Sequence, residues 1–306
     1  MDERKGILLE SGTNELEIVE FRIGENSFGI NAAKVKEIVR FTPATHTPLS
    51  HPCIRGVIML RDQVMNVIDL PKYLHMEEPD SNTISLYLIA QFNQLTVAFL
   101  VHGVDRIHRF SWKDIEPPAK GLSQRKDSSV TGIVKMPDRM ILILDFERIM
   151  MDISPETGIQ ASEIEAMTSR ARSDRHILLA EDSALLSKMI LTALEKSGYV
   201  QVTAVQNGQA ALEQLIRWRD DPDVPLEEHV SCVITDLEMP QMDGHSLTKT
   251  IKEDRRLCGL PVIIFSSIID EQMRLKGKEV GADEQISKPE IGRLVSIIDR
   301  LVLRGA

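Results

Sequence analysis

The 306-residue sequence lacks most marks of a secreted, membrane-spanning or nucleic-acid-binding chain. Its only cysteines are Cys53, Cys232 and Cys258. Their number is odd, their spacing fits no metal site, and two sit in apolar runs. They read as reduced thiols in a cytosolic protein, not a disulfide framework. No apolar run approaches the roughly 20 residues that span a bilayer. The N-terminus, Met1 to Lys5, is charged and has no apolar stretch of the signal-peptide kind. No cluster of Lys and Arg stands out, and the formal net charge is −10, which argues against a nucleic-acid partner. There is no glycine-rich phosphate loop, no nucleophile-elbow serine and no CxxC, and the eight histidines show no ligand spacing. Met189, Met239 and Met242 read as packing residues, not redox groups. Against these absences, a hydrophobic content of 42% is ample for packed cores, and the length suggests two domains.

The most informative stretch is Val233-Ile234-Thr235-Asp236-Leu237-Glu238-Met239-Pro240. It reads as the end of a buried strand followed by an acid, with Pro240 and Asp243-Gly244 turning the chain away. Open α/β sheets place their chemistry at such strand ends, although an acid there can also serve as a simple turn cap. A second buried run, His176 to Ala180, also ends in acids, Glu181 and Asp182. In a parallel sheet the two ends are neighbours, so three carboxylates converge and repel one another. A hard divalent cation removes that repulsion, and Mg²⁺ suits a few carboxylates together with phosphate oxygens. The strand Pro261 to Phe265 then ends in Ser266-Ser267, and Asp283 to Ser287 leads into Lys288-Pro289. Asp236 can act as a nucleophile on phosphorus, with metal, Lys288 and Ser266 holding the phosphoryl oxygens.

These residues resemble the receiver domain of two-component response regulators over about 174 to 306. The resemblance implies a doubly wound, flavodoxin-like fold with a parallel sheet of order 2-1-3-4-5. It implies phosphoryl transfer from a histidine kinase onto Asp236, with Ser266 as switch hydroxyl and Lys288 as the cation of the site. Mg²⁺ would be held by Asp182, Asp236 and the backbone carbonyl of Glu238, with Glu181 acting through water. One position departs from the pattern. Receivers often carry an aromatic residue three places before the lysine, and here that residue is Gln285.

In the front half, Val19, Phe21 and Ile23 alternate with Glu20 and Arg22, the period of a half-buried strand. Gly24 to Ser27 is turn chemistry, and Phe28 and Ile30 begin the return strand. Residues 32–39 fit either a short helical turn or an irregular strand. The central feature is a repeat. Gly56 to Leu70 lies on Gly132 to Phe146 without a gap, at an offset of 132 − 56 = 76 residues. Both copies read glycine, strand, polar turn, strand, acid, apolar residue, so two similar β subdomains are expected. Between them, 83–92 and 95–101 read as a strand pair turned at Asn93-Gln94. Residues 112–118 read as an extended connection, and 119–129 as a polar loop.

Residues 15–153 resemble the CheW-like coupling domain of bacterial chemotaxis. The stretches that carry this are Ile54 to Arg61, Val67 to Leu70, Asp114 to Pro118 and Thr131 to Ile133. The resemblance implies two five-stranded SH3-like barrels that bridge the cytoplasmic tips of chemoreceptors and the chemotaxis histidine kinase. The coupling surface would lie around Gly56, Val57 and Arg61. Asp62 and Asn66 stand where the family usually has Gly and Pro.

The expected organisation is therefore a flexible 1–14, a coupling domain 15–153, a linker 154–174 that is partly helical over 161–172, and a receiver 175–306 ending in a helix from Ile291 to about Leu303. No output domain follows, so the phosphoryl group would act on the front domain or a partner. The whole resembles the CheV-type arrangement. It implies a cytoplasmic adaptor recruited to receptor arrays, modulated at Asp236, and not an enzyme beyond slow self-dephosphorylation. Two other readings compete. A phosphohydrolase of the haloacid-dehalogenase type also uses a strand-end Asp and Mg²⁺, but it needs an Asp where Glu238 stands. A structural coupler with an inert receiver would not need the full acid, Ser266 and Lys288 set.

Overall fold

The computed structural model describes residues 15–303 except 49, 77–84, 93–94, 117, 119–128, 156–158, 160, 168–169, 268 and 270. The expectations for 1–14, for the Asn93-Gln94 turn and for most of the loop 119–129 fall outside these residues. The chain forms two compact units, one over Leu16–Gly158 and one that includes Ile159–Ala306.

The front unit contains eleven strands, two short α-helices and two single 3-10 turns among the described residues. The strands are β1 Glu15–Ile23, β2 Asn26–Asn31, β3 Val35–Arg40, β4 Ile54–Leu60, β5 Gln63–Asp69, β6 Leu86–Phe92, β7 Leu95–Val101, β8 Gly103–Ser111, β9 Ile115–Glu116, β10 Val130–Lys135 and β11 Met140–Leu144. Helix α1 (Leu70–Tyr73) follows β5, and α2 (Phe146–Ile153) follows β11. One sheet has the order β3-β6-β7-β5-β4, the other β8-β1-β2-β11-β10-β9. The two subdomains expected from the repeat are present, and the second carries the two-residue β9 as an extra edge strand. Residues 32–39 resolve into a single helical turn, Ala32–Lys34, and then β3.

The repeat is exact in register. Gly56 faces Val67 and Ile58 faces Met65, and 76 residues on Gly132 faces Ile143 and Val134 faces Ile141. Both ladders slip at the residue before the glycine. Asp69 and Asp145 then cap the following helices, accepting from the backbone N–H of Lys72 at 3.1 Å and of Arg148 at 2.9 Å. Each second strand also pairs in parallel with a strand of another hairpin, β5 with β7 and β11 with β2.

Alternation along these strands feeds three cores. Ile58, Met65, Val67, Tyr87 and Ile89 fill one subdomain, and Ile18, Trp112, Val134, Ile141 and Ile143 fill the other. A third core joins them, built on Phe21, Phe28, Phe92, Phe99 and Phe146, with ring centroids 4.9–6.1 Å apart.

Glu20 departs from its expected place on the polar side of a half-buried strand, because it is fully buried. Arg139, from the β10–β11 turn, donates to it from Nε at 2.7 Å and Nη2 at 2.9 Å. His108 on β8 lies at 2.7 Å. These bonds, chiefly those of Arg139, hold the carboxyl down at about 2. The β-ladders place Ile89 of the sister subdomain at the same position, opposite Ala98 as Glu20 is opposite Gly29.

In the second unit β12 (Ser173–Ala180), β13 (Tyr199–Val205), β14 (Cys232–Thr235), β15 (Val262–Ser266) and β16 (Glu284–Ser287) form a wholly parallel sheet of order β13-β12-β14-β15-β16. This is the expected 2-1-3-4-5. Its helices are α3 Ala161–Ala166, α4 Ala184–Lys196, α5 Gly208–Arg219, α6 Leu226–His229, α7 Gly244–Glu253, α8 Glu271–Glu279 and α9 Ile291–Leu303. The region read as a linker is partly built into this unit. Ile159 and Ile164 are buried. Lys196 at the end of α4 donates to the carbonyls of Ile164 and Glu165 at 3.1 and 3.3 Å, closing the C-terminus of α3. Arg170 pairs with Asp299 of α9 at 2.6 Å.

Candidate functional site

The parallel sheet brings the strand-end groups together. β14 is the middle strand, flanked by β12 and β15, and its three apolar residues Cys232, Val233 and Ile234 are fully buried. Burial pushes the Cys232 thiol well above its ordinary value, so it packs as a small apolar side chain. The first residue past this strand is Asp236, itself buried. Its backbone N–H donates to Ala180 at the end of β12, 2.9 Å, so the Asp236 and Glu181-Asp182 ends are locked side by side.

Glu181, Asp182 and Asp236 each place a carboxylate oxygen within 4.8 Å of the others. Lys288 enters this cluster from the end of β16. Its Nζ lies 2.9 Å from Asp236 Oδ2 and 3.1 Å from Glu181 Oε2. All three side chains are at most 3% exposed. The other Asp236 oxygen, Oδ1, accepts from the backbone N–H of Leu237 at 2.7 Å. Glu181 Oε1 accepts from the backbone N–H of Ser183 at 3.1 Å, where α4 begins. The carboxylate of Asp236 is therefore fixed at both oxygens, and two of the three clustered carboxylates pair with the Lys288 ammonium. Oxygen donors and excess negative charge suit a hard divalent cation.

Ser266 ends β15 and is fully buried; it lies opposite Ser287 in the ladder, and its carbonyl accepts from the Lys288 backbone N–H at 3.1 Å. Glu238, two residues past Asp236, is half-buried. The loop that carries it is closed by Gly244, whose N–H donates to Leu237 at 3.0 Å. A Cβ on Gly244 would meet the Asp236 carbonyl at 2.1 Å, so the Asp-Gly pair is required for more than turning the chain. That role was not readable from local pattern, although the residue itself was.

The front-unit residues singled out by sequence lie on the β4–β5 hairpin. Gly56 has a φ of +142°, and a Cβ there would meet the Thr45 carbonyl at 2.2 Å. Val57 exchanges both backbone bonds with Thr45, each 2.8 Å. Arg61 and Asp62 form the two-residue turn with φ of 47° and 66°, the positive pair of a type I′ hairpin. Aspartate tolerates this conformation, which explains how Asp62 stands in a place suited to glycine. The Arg61 side chain is 79% exposed and pairs with Glu37 on β3 at 3.0 Å. Met59 and Val64, cross-strand partners behind it, are 73% and 64% exposed.

No helix among the described residues is long and apolar enough to cross a membrane. Comparison with known proteins agrees with both halves. Residues 17–154 match the CheW-like domain, and 177–299 the response regulator receiver domain. Chemotaxis protein CheV3 of Helicobacter pylori is 31% identical over 306 residues, covering 96% of this chain and 96% of that protein. Chemotaxis protein CheV1 of the same organism is 25% identical, covering 90% and 89%. Chemotaxis protein CheW of Rhizobium meliloti is 30% identical over 133 residues, covering 44% of this chain and 86% of that protein. With a CheW-like domain, a receiver domain and full-length similarity in the same order, the chain belongs to the CheV family of chemotaxis coupling proteins.

Proposed function

We propose that this coupling adaptor is switched by phosphorylation of Asp236. The phosphoryl group comes from the phosphohistidine of a chemotaxis histidine kinase, and the switch adjusts how the front domain couples chemoreceptor tips to that kinase. The observation that carries this reading is the seat of Asp236, a buried carboxylate at the end of the middle strand, 2.9 Å from the Lys288 ammonium and grouped with Glu181 and Asp182.

An Asp236 oxygen attacks phosphorus as the bond from phosphorus to the donor imidazole breaks, and the ring takes up a proton. Lys288 shifts its hydrogen bond from Asp236 to a phosphoryl oxygen, and the Ser266 hydroxyl donates to another. The Leu237 N–H keeps the carboxyl group oriented. Asp182, Asp236 and the Glu238 carbonyl are the residues to hold Mg²⁺, with Glu181, already bonded to Lys288 and Ser183, in an outer role. Bound there, Mg²⁺ supplies positive charge that offsets the carboxylates and the phosphoryl oxygens. Slow hydrolysis of the acyl phosphate resets the switch.

Docking to receptor and kinase falls to the β4–β5 hairpin, around Gly56, Val57 and Arg61. Its exposed Arg61, Met59 and Val64 combine charge and apolar area. On this reading the protein works in the cytoplasm at receptor arrays. The test is intact-mass measurement after incubation with acetyl phosphate and Mg²⁺. The wild type should gain one phosphoryl group and Asp236→Asn none; equal gain by the variant would remove Asp236 from the role.

A further inference from the structure

The groups named for Mg²⁺ come from two separate segments. Asp182 follows β12, and the Glu238 carbonyl lies in the 237–243 loop between β14 and α7. The corner between β13 and α5 is bonded to both segments. The Glu181 backbone N–H donates to the Val205 carbonyl at the end of β13, 3.0 Å. Gly208, the first residue of α5, donates its N–H to the Met242 carbonyl at 3.2 Å. That N–H has no partner within its own helix, so the loop supplies one. Asn207 fixes the corner to α5, since its side chain accepts from the Ala210 N–H at 2.7 Å. Val205 to Gly208 thus ties the two metal-holding segments together.

The tie to the loop is built around a missing side chain. A Cβ on Gly208 would meet the Met242 carbonyl oxygen at 2.5 Å and the Met242 Cγ at 3.0 Å. Met242 cannot give way by itself. Its N–H closes onto the Pro240 carbonyl at 2.8 Å, across Gln241 at a φ of 67°, so Pro240 to Met242 moves as a unit. Met239 is fully buried in the core of this unit, and the Gly244 N–H pins Leu237 at the base of the loop. A push at Met242 is therefore passed towards Glu238. Ordinary contact begins at 3.4 Å, so an added Cβ asks the loop to withdraw by 3.4 − 2.5 = 0.9 Å. Mg²⁺ takes oxygens only at about 2.0–2.1 Å, whereas Ca²⁺ takes them at about 2.3–2.6 Å in looser geometry. The displacement exceeds the difference between the two ions.

We propose that the β13–α5 corner positions the Mg²⁺ site, and that Gly208 sets the preference of the site for Mg²⁺ over Ca²⁺ by letting the corner close on Met242. The inference rests on the reading of Asp182, Asp236 and the Glu238 carbonyl as the groups that hold the ion. Gly208 touches neither the ion nor the phosphoryl group; it acts through the loop. Groups that orient metal ligands in this way are worth about 10–100-fold in affinity. A narrow, rigid arrangement selects the smaller ion, and a loosened one gives up that selection.

The test is titration of the full chain with MgCl₂ and, separately, CaCl₂, followed by backbone amide shifts in NMR spectra that also report whether each variant is folded. Gly208→Ala should weaken Mg²⁺ binding about tenfold and Ca²⁺ binding about twofold, so the preference for Mg²⁺ falls about fivefold. Asn207→Ala frees the corner from α5 without adding a wedge. It should move the ratio the same way, and it carries the test if Gly208→Ala fails to fold. Gly292→Ala adds a methyl group on α9 where nothing lies within 4 Å, and it should bind both ions as wild type does. Wild-type affinities in the folded corner variant, an equal loss for both ions, or the same loss in Gly292→Ala overturns the role of the corner alone. Absence of Mg²⁺ binding by wild type, or wild-type binding by Asp182→Ala, overturns the reading of the metal-holding groups and the inference with it.

Discussion

At Lys288 a buried ammonium answers two buried carboxylates, Asp236 and Glu181. Removing one partner of a buried ion set leaves charge uncompensated, at a cost of about 3–5 kcal/mol. Lys288→Ala should therefore lower the melting temperature of the metal-free protein sharply, and millimolar Mg²⁺ should restore part of the loss, read by thermal melts with and without MgCl₂. An unchanged melting temperature would mean that the three acids do not depend on this lysine. Asp236 and Glu181 were legible in the sequence because each follows a buried apolar run, so their meeting point follows from a parallel sheet, whereas Lys288 follows the mostly polar Glu284–Ser287 and was legible through the Lys288-Pro289 pair. Gln285 was legible as a departure, but its seat against Gly277 of α8 was not. That contact depends on how α8 docks, which has no local signature in a helix so poor in apolar residues.

At the scale of elements, the hairpin repeat was legible down to its register, since matched glycines, turns and capping acids force the same ladder. Strand β8 was not, because Asp105, Arg106, His108 and Arg109 on an edge strand show no clean alternation. Glu20 was misplaced for a related reason, since an acid inside a barrel looks in sequence like the polar side of a strand. Its carboxyl is held at about 2 against an ordinary 4.5. A depressed acid contributes stability that is present above pH 4.5 and lost as pH falls towards 2, here about 3 kcal/mol. Arg139→Ala should thus destabilise the front domain at pH 7, with the difference from wild type shrinking as pH drops below 4.5. Because the sister subdomain has Ile89 in this position, the pair Glu20→Ile with Arg139→Leu should recover most of the loss. Denaturant melts across pH check both, and a pH-independent difference would contradict the assignment. The other tip arginine, Arg61, is far more exposed, as its proposed docking role requires. Arg61→Glu should weaken docking by about 2 kcal/mol, some thirtyfold, while acetyl phosphate still modifies Asp236. Wild-type docking by this variant would move the coupling surface elsewhere.

For the whole molecule, the two halves were legible because each follows its own rule: hairpins with alternating apolar residues in front, buried runs ending in polar groups behind. The stretch between them was less so. The few apolar groups of 159–172 read as tether, yet Ile159 and Ile164 are buried, and Lys196 and Asp299 bind the segment to the receiver unit. The central claim is that one protein carries both a coupling surface and a chemical switch that acts on it. The most direct measurement is co-sedimentation with receptor-containing membranes and the histidine kinase, with and without acetyl phosphate and Mg²⁺, for wild type and Asp236→Asn. The account predicts equal basal docking of the two proteins and a shift on phosphodonor in wild type only. A shift of the same size in Asp236→Asn, or none in wild type shown by mass to be phosphorylated, would contradict it.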